Sequence, residues 1–349
     1  MTGPLDKTGP ADKTGPADKT GPADKTGPLD KTGPLDPTAL RDHGGNLDAA
    51  IRTFGGTHGD WVDLSTGINP VPYPLPDLPN HAWTRLPDQG AVDALCDAAR
   101  AFWGVPPQRA ILAVPGASSA IAHVPALAAP GRVHIPGPTY NEHAAAFARL
   151  GWQVDTDAAP GQAARVLVHP NNPTGAFHDA PATAPLTVID ESFCDIAPAR
   201  SHVTTACDDT LILKSFGKFW GLAGLRLGVV IGTPDRIGAL SDMLGPWPVS
   251  GPALHVGTQA LRDTPWADAT RARLTADAAR LDTLMTGAGA TLAGGTPLFR
   301  LYAVPDAAAV QTRLARHHVW SRIFPYSPHW IRLGLPAPDH WDRVAGALA

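Results

Sequence analysis

Cysteine is scarce in this chain. Only Cys96, Cys194 and Cys207 occur among 349 residues, and no two of them form a CxxC pair. That excludes a disulfide framework and gives no sign of a structural zinc site. Such usage fits a reducing cytoplasm. Histidine metal motifs are also missing: the 14 histidines include no HExxH, so no metal is expected. No apolar run approaches the roughly 18–20 residues that span a bilayer, and the N-terminus lacks the apolar core of a signal peptide. Charge of either sign is not in excess, since 28 Lys and Arg stand against 32 Asp and Glu. Neither nucleic acid nor an anionic membrane is expected as a partner. Two nucleotide and hydrolase motifs fail on spacing. A P-loop ending in Gly217-Lys218 needs glycine where Ile212 stands, and a GxSxG elbow around Ser118 needs glycine where Ala120 stands.

Residues 2–37 are a hexapeptide array reading TGPLDK, TGPADK, TGPADK, TGPADK, TGPLDK and TGPLDP. Gly-Pro in each unit breaks helix and strand, and Asp balances Lys. A single Leu or Ala per unit cannot build a packed core, so a disordered or partly polyproline-II tail is expected. Composition favours a neutral repeat expansion over a partner-binding role. Residues 38–75, rich in Gly and Pro, read as an arm.

Beyond residue 90 the chain alternates helical and strand-like segments. Helices are expected over 91–103, 118–128 and 142–150, and strands over 110–114, 132–135, 165–169, 187–189, 210–213 and 227–231. Short Val, Ile and Leu runs between helices indicate an α/β domain with a mostly parallel, buried sheet. A break at 246–252 separates this large domain, 76–250, from a smaller α/β unit, 251–349. The smaller unit reads as a helix over 266–285 with Leu274, Leu281 and Leu284 inward, a strand over 298–304, a helix over 307–317 and a strand over 330–333.

Five segments at or beyond strand ends carry chemistry. Lys218 has Ser215 three residues before it and Arg226 eight after it, among small residues. That spacing suits a lysine that carries pyridoxal 5'-phosphate (PLP), while a hydroxyl and a guanidinium hold the cofactor's phosphate. Asp190 closes the apolar run Leu186-Thr187-Val188-Ile189 and is placed to keep the cofactor's pyridine nitrogen protonated; Glu191 should point elsewhere. Asn172, in an Asn-Asn-Pro-Thr-Gly turn, is placed to hydrogen-bond the ring's phenolic oxygen. Gly116-Ala117-Ser118 lies between a strand and a helix, where backbone N–H groups bind anions. Tyr140 is the candidate aromatic for stacking on the ring. Lys218 and Asp190 are the candidate catalytic residues.

In their order along the chain, from Gly116-Ala117-Ser118 to Lys218 and Arg226, the segments resemble fold-type I PLP enzymes of the aspartate aminotransferase superfamily over about residues 42–345. The resemblance implies a large domain with a mostly parallel mixed sheet flanked by helices, a smaller C-terminal domain and a homodimer. His43-Gly44-Gly45-Asn46 and Asp63-Leu64-Ser65-Thr66-Gly67-Ile68-Asn69-Pro70 resemble the opening of the threonine-phosphate decarboxylase branch. That branch converts L-threonine O-3-phosphate into (R)-1-amino-2-propanol O-phosphate and CO2 for cobalamin synthesis. The alternative is an aminotransferase of the histidinol-phosphate type. A phosphorylated amino acid needs cationic donors, and Arg332 and Arg322 are the candidates, with His43 and Asn46 as further phosphate contacts. Three residues depart from the family pattern: Leu86 and Phe193 where relatives often carry tyrosine, and Gly217 where serine is common.

Overall fold

The computed structural model describes residues 43–179 and 184–349. The repeat tail expected over 1–37 lies outside the described residues. Those that are described fall within a single compact unit, and among them no helix is long and apolar enough to cross a membrane.

The arm is more ordered than its Gly and Pro content suggests. Asn46 caps α1 (Leu47–Phe54) by accepting the Ala49 N–H at 3.3 Å. Leu47, Ile51 and Phe54 lie at helical spacing and pack against Trp61, Ala315 and Trp320. Then come β1 (Val62–Asp63) and α2 (Asn80–Thr84).

The large sheet is assembled by α/β alternation. Ahead of its first strand lies α3 (Gln89–Trp103), capped by Asp88. The chain continues through β2 (Ala110–Val114), α4 (Ala117–His123), β3 (Arg132–His134), α5 (Asn141–Arg149), β4 (Gln153–Asp155), β5 (Ala164–Val168), β6 (Leu186–Asp190), β7 (Thr210–Ser215) and β8 (Gly228–Gly232). The strand order is β2-β8-β7-β6-β5-β3-β4. β8 runs antiparallel to both neighbours, and the other pairings are parallel. Every residue of β6 and β8 is buried, which is why these strands read as unbroken apolar runs. The helix expected over 118–128 stops at His123. A 3-10 turn, Val124–Leu127, replaces its second half because Pro125 has no N–H to continue the ladder.

After β8 come α6 (Pro234–Leu244), α7 (Gly251–Arg262) and α8 (Thr264–Gly287). α8 starts two residues earlier than its apolar spacing suggests, because Asp263 accepts the Trp266 N–H at 3.0 Å as its cap. Leu274 and Leu281 are fully buried, and Leu284 is half-buried against the same core. A four-stranded antiparallel sheet follows, built from β9 (Thr291–Thr296), β10 (Phe299–Ala303), β12 (Arg322–Phe324) and β13 (Ser327–Gly334) in the order β12-β13-β10-β9. α9 (Ala307–Ala315) and α10 (Trp341–Leu348) complete this unit, and β11 (Val319–Trp320) pairs in parallel with β1. One apolar core links α3, α7 and α8 to Phe299, Ile331 and Leu333 of the small sheet. The arm and the small sheet thus reach the C-terminal ends of β5, β6 and β7, where an open α/β sheet holds its ligands.

Candidate active site

Asp190 ends β6 and is 3% exposed. His143, from α5, places Nε2 2.9 Å from Asp190 Oδ2. Ser192 donates to Oδ1 through its hydroxyl at 2.6 Å and its N–H at 3.0 Å. Burial alone would raise the Asp190 pKa, but the bonds and charge of His143 and the two Ser192 donors outweigh it and hold the carboxyl below its ordinary range. The group is therefore a carboxylate at working pH. Sequence reasoning passed over His143 and Ser192. Both were within reach of it: His143 lies one helical turn beyond Tyr140, and Ser192 sits two residues after an acid, the spacing of an Asx turn.

Lys218 lies in the loop after β7. Its carbonyl accepts the Asn69 N–H at 3.0 Å, and Asn69 Nδ2 donates to Phe219 O at 2.9 Å. The arm therefore grips the backbone at Lys218 and at the residue after it. Nζ stands 5.2 Å from the centre of the Phe193 ring. Desolvation, then Arg332 and Arg226, lower the Lys218 pKa to about 8, with Asp190 opposing them. A free amine is therefore populated near neutrality, as a nucleophilic lysine requires.

Gly116 leads into α4 with φ +82, and a Cβ there would stand 2.6 Å from Arg226 Nη2. Only glycine leaves this space open while adopting that backbone. No side chain caps α4, and Ala117 and Ser118 at its start line the same cavity as Arg226. Arg226 donates to Ser118 Oγ at 2.9 Å and to Ala223 O at 3.0 Å. Ser215 Oγ, at the end of β7, accepts the Gly217 N–H at 3.2 Å. Ala117, Ser118, Tyr140, Asn172, Asp190, Ser215, Lys218 and Arg226 all line a single cavity of about 180 Å³. An anion cradle, a buried carboxylate and a deprotonatable lysine lining one cavity fit PLP. Phe193 lines this cavity too and brings no hydroxyl.

A second cavity, of about 290 Å³, shares Tyr140, Asn172 and Lys218 with the first and adds His43, Arg322 and Arg332. Arg332, on β13, donates to Asn172 Oδ1 and, at 2.5 Å, to Ser65 O. Its Nε is buried with no protein partner. Because Asn172 gives its carbonyl to Arg332, its amide N–H2 is left to donate elsewhere. Burial and then the neighbouring Arg322 lower the Arg332 pKa to about 10, so it stays charged. His43 Nε2 lies 2.8 Å from a Glu142 carboxylate oxygen. Asn46 is placed apart: besides capping α1, it lines an adjoining cavity of about 390 Å³ with His43, Arg322 and Ser321. The Ser65 carbonyl is the other contact that sequence reasoning missed, because a main-chain acceptor leaves no mark on residue type.

The sequence model for aminotransferase class I and II matches residues 60–348. The chain is 42% identical over 330 residues to a threonine-phosphate decarboxylase from a Sinorhizobium species, covering 88% of this chain and 97% of that protein. A threonine-phosphate decarboxylase from Pseudomonas aeruginosa is 38% identical over the same shares of each chain. Among solved structures, histidinol-phosphate aminotransferase from Sinorhizobium meliloti in complex with pyridoxal-5'-phosphate superposes with a TM-score of 0.72 at 18% identity. That match covers 86% of this chain and 92% of the other.

Proposed function

The chain belongs to the aminotransferase class I and II family, and within it we propose that it is a PLP-dependent enzyme that decarboxylates L-threonine O-3-phosphate. The observation that carries this reading is the convergence of Lys218, Arg322, Arg332 and His43 on one cavity. A substrate with both a carboxylate and a phosphate answers that charge, and the buried, unpartnered Nε of Arg332 is a donor waiting for an anion. The relatives at 42% and 38% identity carry the same activity in their names.

When bound, PLP supplies a sink for the electron pair left at the substrate's α-carbon. Asp190, held anionic by His143 and Ser192, would keep a proton on the ring nitrogen so that the sink works. Asn172 Nδ2 would donate to the ring's phenolic oxygen, and Tyr140 would cover a ring face. The Gly116–Ser118 turn, Ser215 and Arg226 would hold the cofactor's phosphate. Lys218 would carry the cofactor through its neutral amine and, once displaced by the substrate's amine and protonated, would be placed to give a proton to the α-carbon in place of the lost CO2. Arg332 and Arg322 hold the two anionic groups of the substrate. That grip fixes which bond at the α-carbon is aligned for cleavage.

The deciding experiment is mass spectrometry of the products formed from threonine phosphate, with and without 2-oxoglutarate. Aminopropanol phosphate formed without 2-oxoglutarate is the expected result. A keto acid formed only when 2-oxoglutarate is present would replace this reading with an aminotransferase of the histidinol-phosphate type.

We also infer a homodimer, as the family resemblance implies. Trp83 and Leu86, each 66% exposed, lie on and just after α2, and a Cβ at Gly251 would meet Ala82 O at 2.4 Å. The start of α7 and its preceding loop therefore adjoin this apolar stretch. That loop holds Trp247, exposed and at φ 53. Burial against a second chain would take this apolar surface out of water. Sedimentation at assay concentration tests it; a fully active monomer would refute it.

A further inference from the structure

The strand ends that carry Asp190 and Ser215 also carry a pair of opposite charges that the chemistry above does not use. Glu191 and Lys214 are each 1% exposed, with Lys214 Nζ 2.6 Å from Glu191 Oε2. Glu191 is saturated: Oε2 also accepts from Ser201 Oγ at 2.6 Å, and Oε1 accepts the His202 N–H at 2.6 Å. Asp195 completes the cluster. It lies 3.6 Å from Lys214 Nζ and accepts from Trp103 Nε1 at 2.8 Å and Trp220 Nε1 at 3.0 Å. A metal held by His169, Glu191 and Cys194, whose ligand atoms lie within 4.8 Å of one another, is opposed by these same bonds. Lys214 already neutralises Glu191. His169 is also occupied: Nδ1 accepts the His178 N–H at 3.0 Å, and Nε2 faces the Arg200 carbonyl at 2.7 Å.

The cluster lies behind the site, at the same level along the strands. Successive residues of a strand face opposite sides. Glu191 therefore points away from the cleft when Asp190 points into it, and Lys214 does so when Ser215 points into it. The Glu191 N–H donates to Leu213 O at 2.9 Å, so the ion pair bridges adjacent parallel strands where they deliver their functional groups. A slip of one residue would turn Asp190 and Ser215 away from the cleft. It would also strip Glu191 of Ser201 and His202, leaving a buried charge short of partners. Trp220 extends the cluster to the loop of Lys218, which lies two residues before it. Burial opposes the charge on Lys214, but Glu191 and Asp195 outweigh it and raise its pKa, so the pair stays ionised.

We propose that Lys214, Glu191 and Asp195 are positioning residues that hold Asp190, Ser215 and Lys218 in the arrangement that binds PLP. The test uses the full chain, stripped of cofactor and titrated with PLP, with the thermal midpoint of the stripped protein measured alongside. Three variants are compared: Lys214→Met, Glu191→Gln, and the double Lys214→Met/Glu191→Leu. Lys214→Met leaves Glu191 uncompensated, so its midpoint falls. The double variant removes both charges of the pair, and apolar replacement of a buried ion pair is often neutral, so its midpoint recovers part of that loss, with Asp195 and the His202 N–H left without Lys214 and Glu191. Its PLP dissociation constant nonetheless stays raised by about tenfold or more, the scale seen when outer partners of metal ligands are lost. The pH at which the bound cofactor's visible band changes also stays displaced. Should Lys214→Met fail to fold, Glu191→Gln, which keeps the shape and loses the charge, gives the same comparison against the double. A double variant that binds PLP as tightly as the wild type overturns the proposal. So does a series in which affinity merely follows the midpoint. PLP binding is read here without substrate, so failure of the decarboxylase reading and failure of this inference are distinguishable.

Discussion

Lys214 and Lys218 lie four residues apart, both desolvated, in opposite electrostatic surroundings. Around Lys214 stand two carboxylates, at 2.6 and 3.6 Å, and its pKa is raised. Lys218, beyond its desolvation, has Arg332 as its largest charged influence, with Asp190 opposing it and Arg226 adding to it, and its pKa falls to about 8. Burial is common to both, so burial does not select the reactive lysine. The sign of the neighbouring charge does: Lys214 faces behind the sheet from within β7, while the turn after that strand carries Lys218 into the cleft.

The largest expected effect comes from removing the cleft lysine while keeping its neighbour. Lys218→Ala should lose covalent PLP and at least roughly 10²- to 10⁴-fold in turnover, the range of a lost acid-base group. Visible absorption of the purified variant checks this, and an undiminished band would mean that Lys214 can substitute. Asp190→Asn removes the carboxylate that opposes Arg332 and Arg226 in their effect on Lys218. PLP should still bind, while turnover falls by roughly 10²–10³-fold, the scale of a lost electrostatic group in a dry site. Steady-state kinetics at saturating PLP measure it.

Arg332→Ala sharpens the contrast from the other side. It should cost about 1.5–3 kcal/mol on threonine phosphate for a lost charge-assisted bond. It should also raise the Lys218 pKa, moving the pH dependence of PLP attachment upward. Arg322→Ala should have the same binding cost and a smaller effect on that pH dependence. Whichever variant penalises threonine phosphate more than threonine identifies the phosphate ligand; equal losses on both substrates would leave the His43 arm as the remaining candidate. The smallest effect is expected outside the comparison. A chain starting at Thr38 should keep the turnover and thermal midpoint of the full protein, and a large drop in either would show that the repeats dock on the body.

The sheet was legible because its strands are buried on both faces and so read as apolar runs between helices. The cofactor half of the site was legible for a related reason. Asp190, Asn172, Ser215 and Lys218 sit at or just beyond strand ends, where a polar residue breaking an apolar run stands out. The supports were not. Contacts such as His143 on Asp190 and the Ser65 carbonyl on Arg332 join residues far apart in the chain, and no local pattern marks them. Glu191 was read as pointing elsewhere, which strand alternation predicts, but its pairing with Lys214 across two strands was beyond a local reading. α1 was lost in a Gly-rich arm because the apolar stripe that defines it is only two turns long.

The most direct test of the contrast between the two lysines is reductive trapping of bound PLP, followed by peptide mapping, over a range of pH. The label should appear on the peptide carrying Lys218 and nowhere else. The rate of attachment should rise with pH and level off above about 8, because the neutral amine is the attacking form. At pH 7 that form is roughly a tenth of the total, far above the fraction available to a lysine of ordinary pKa. Label on Lys214, or a rate still climbing toward pH 10.5, would contradict the account.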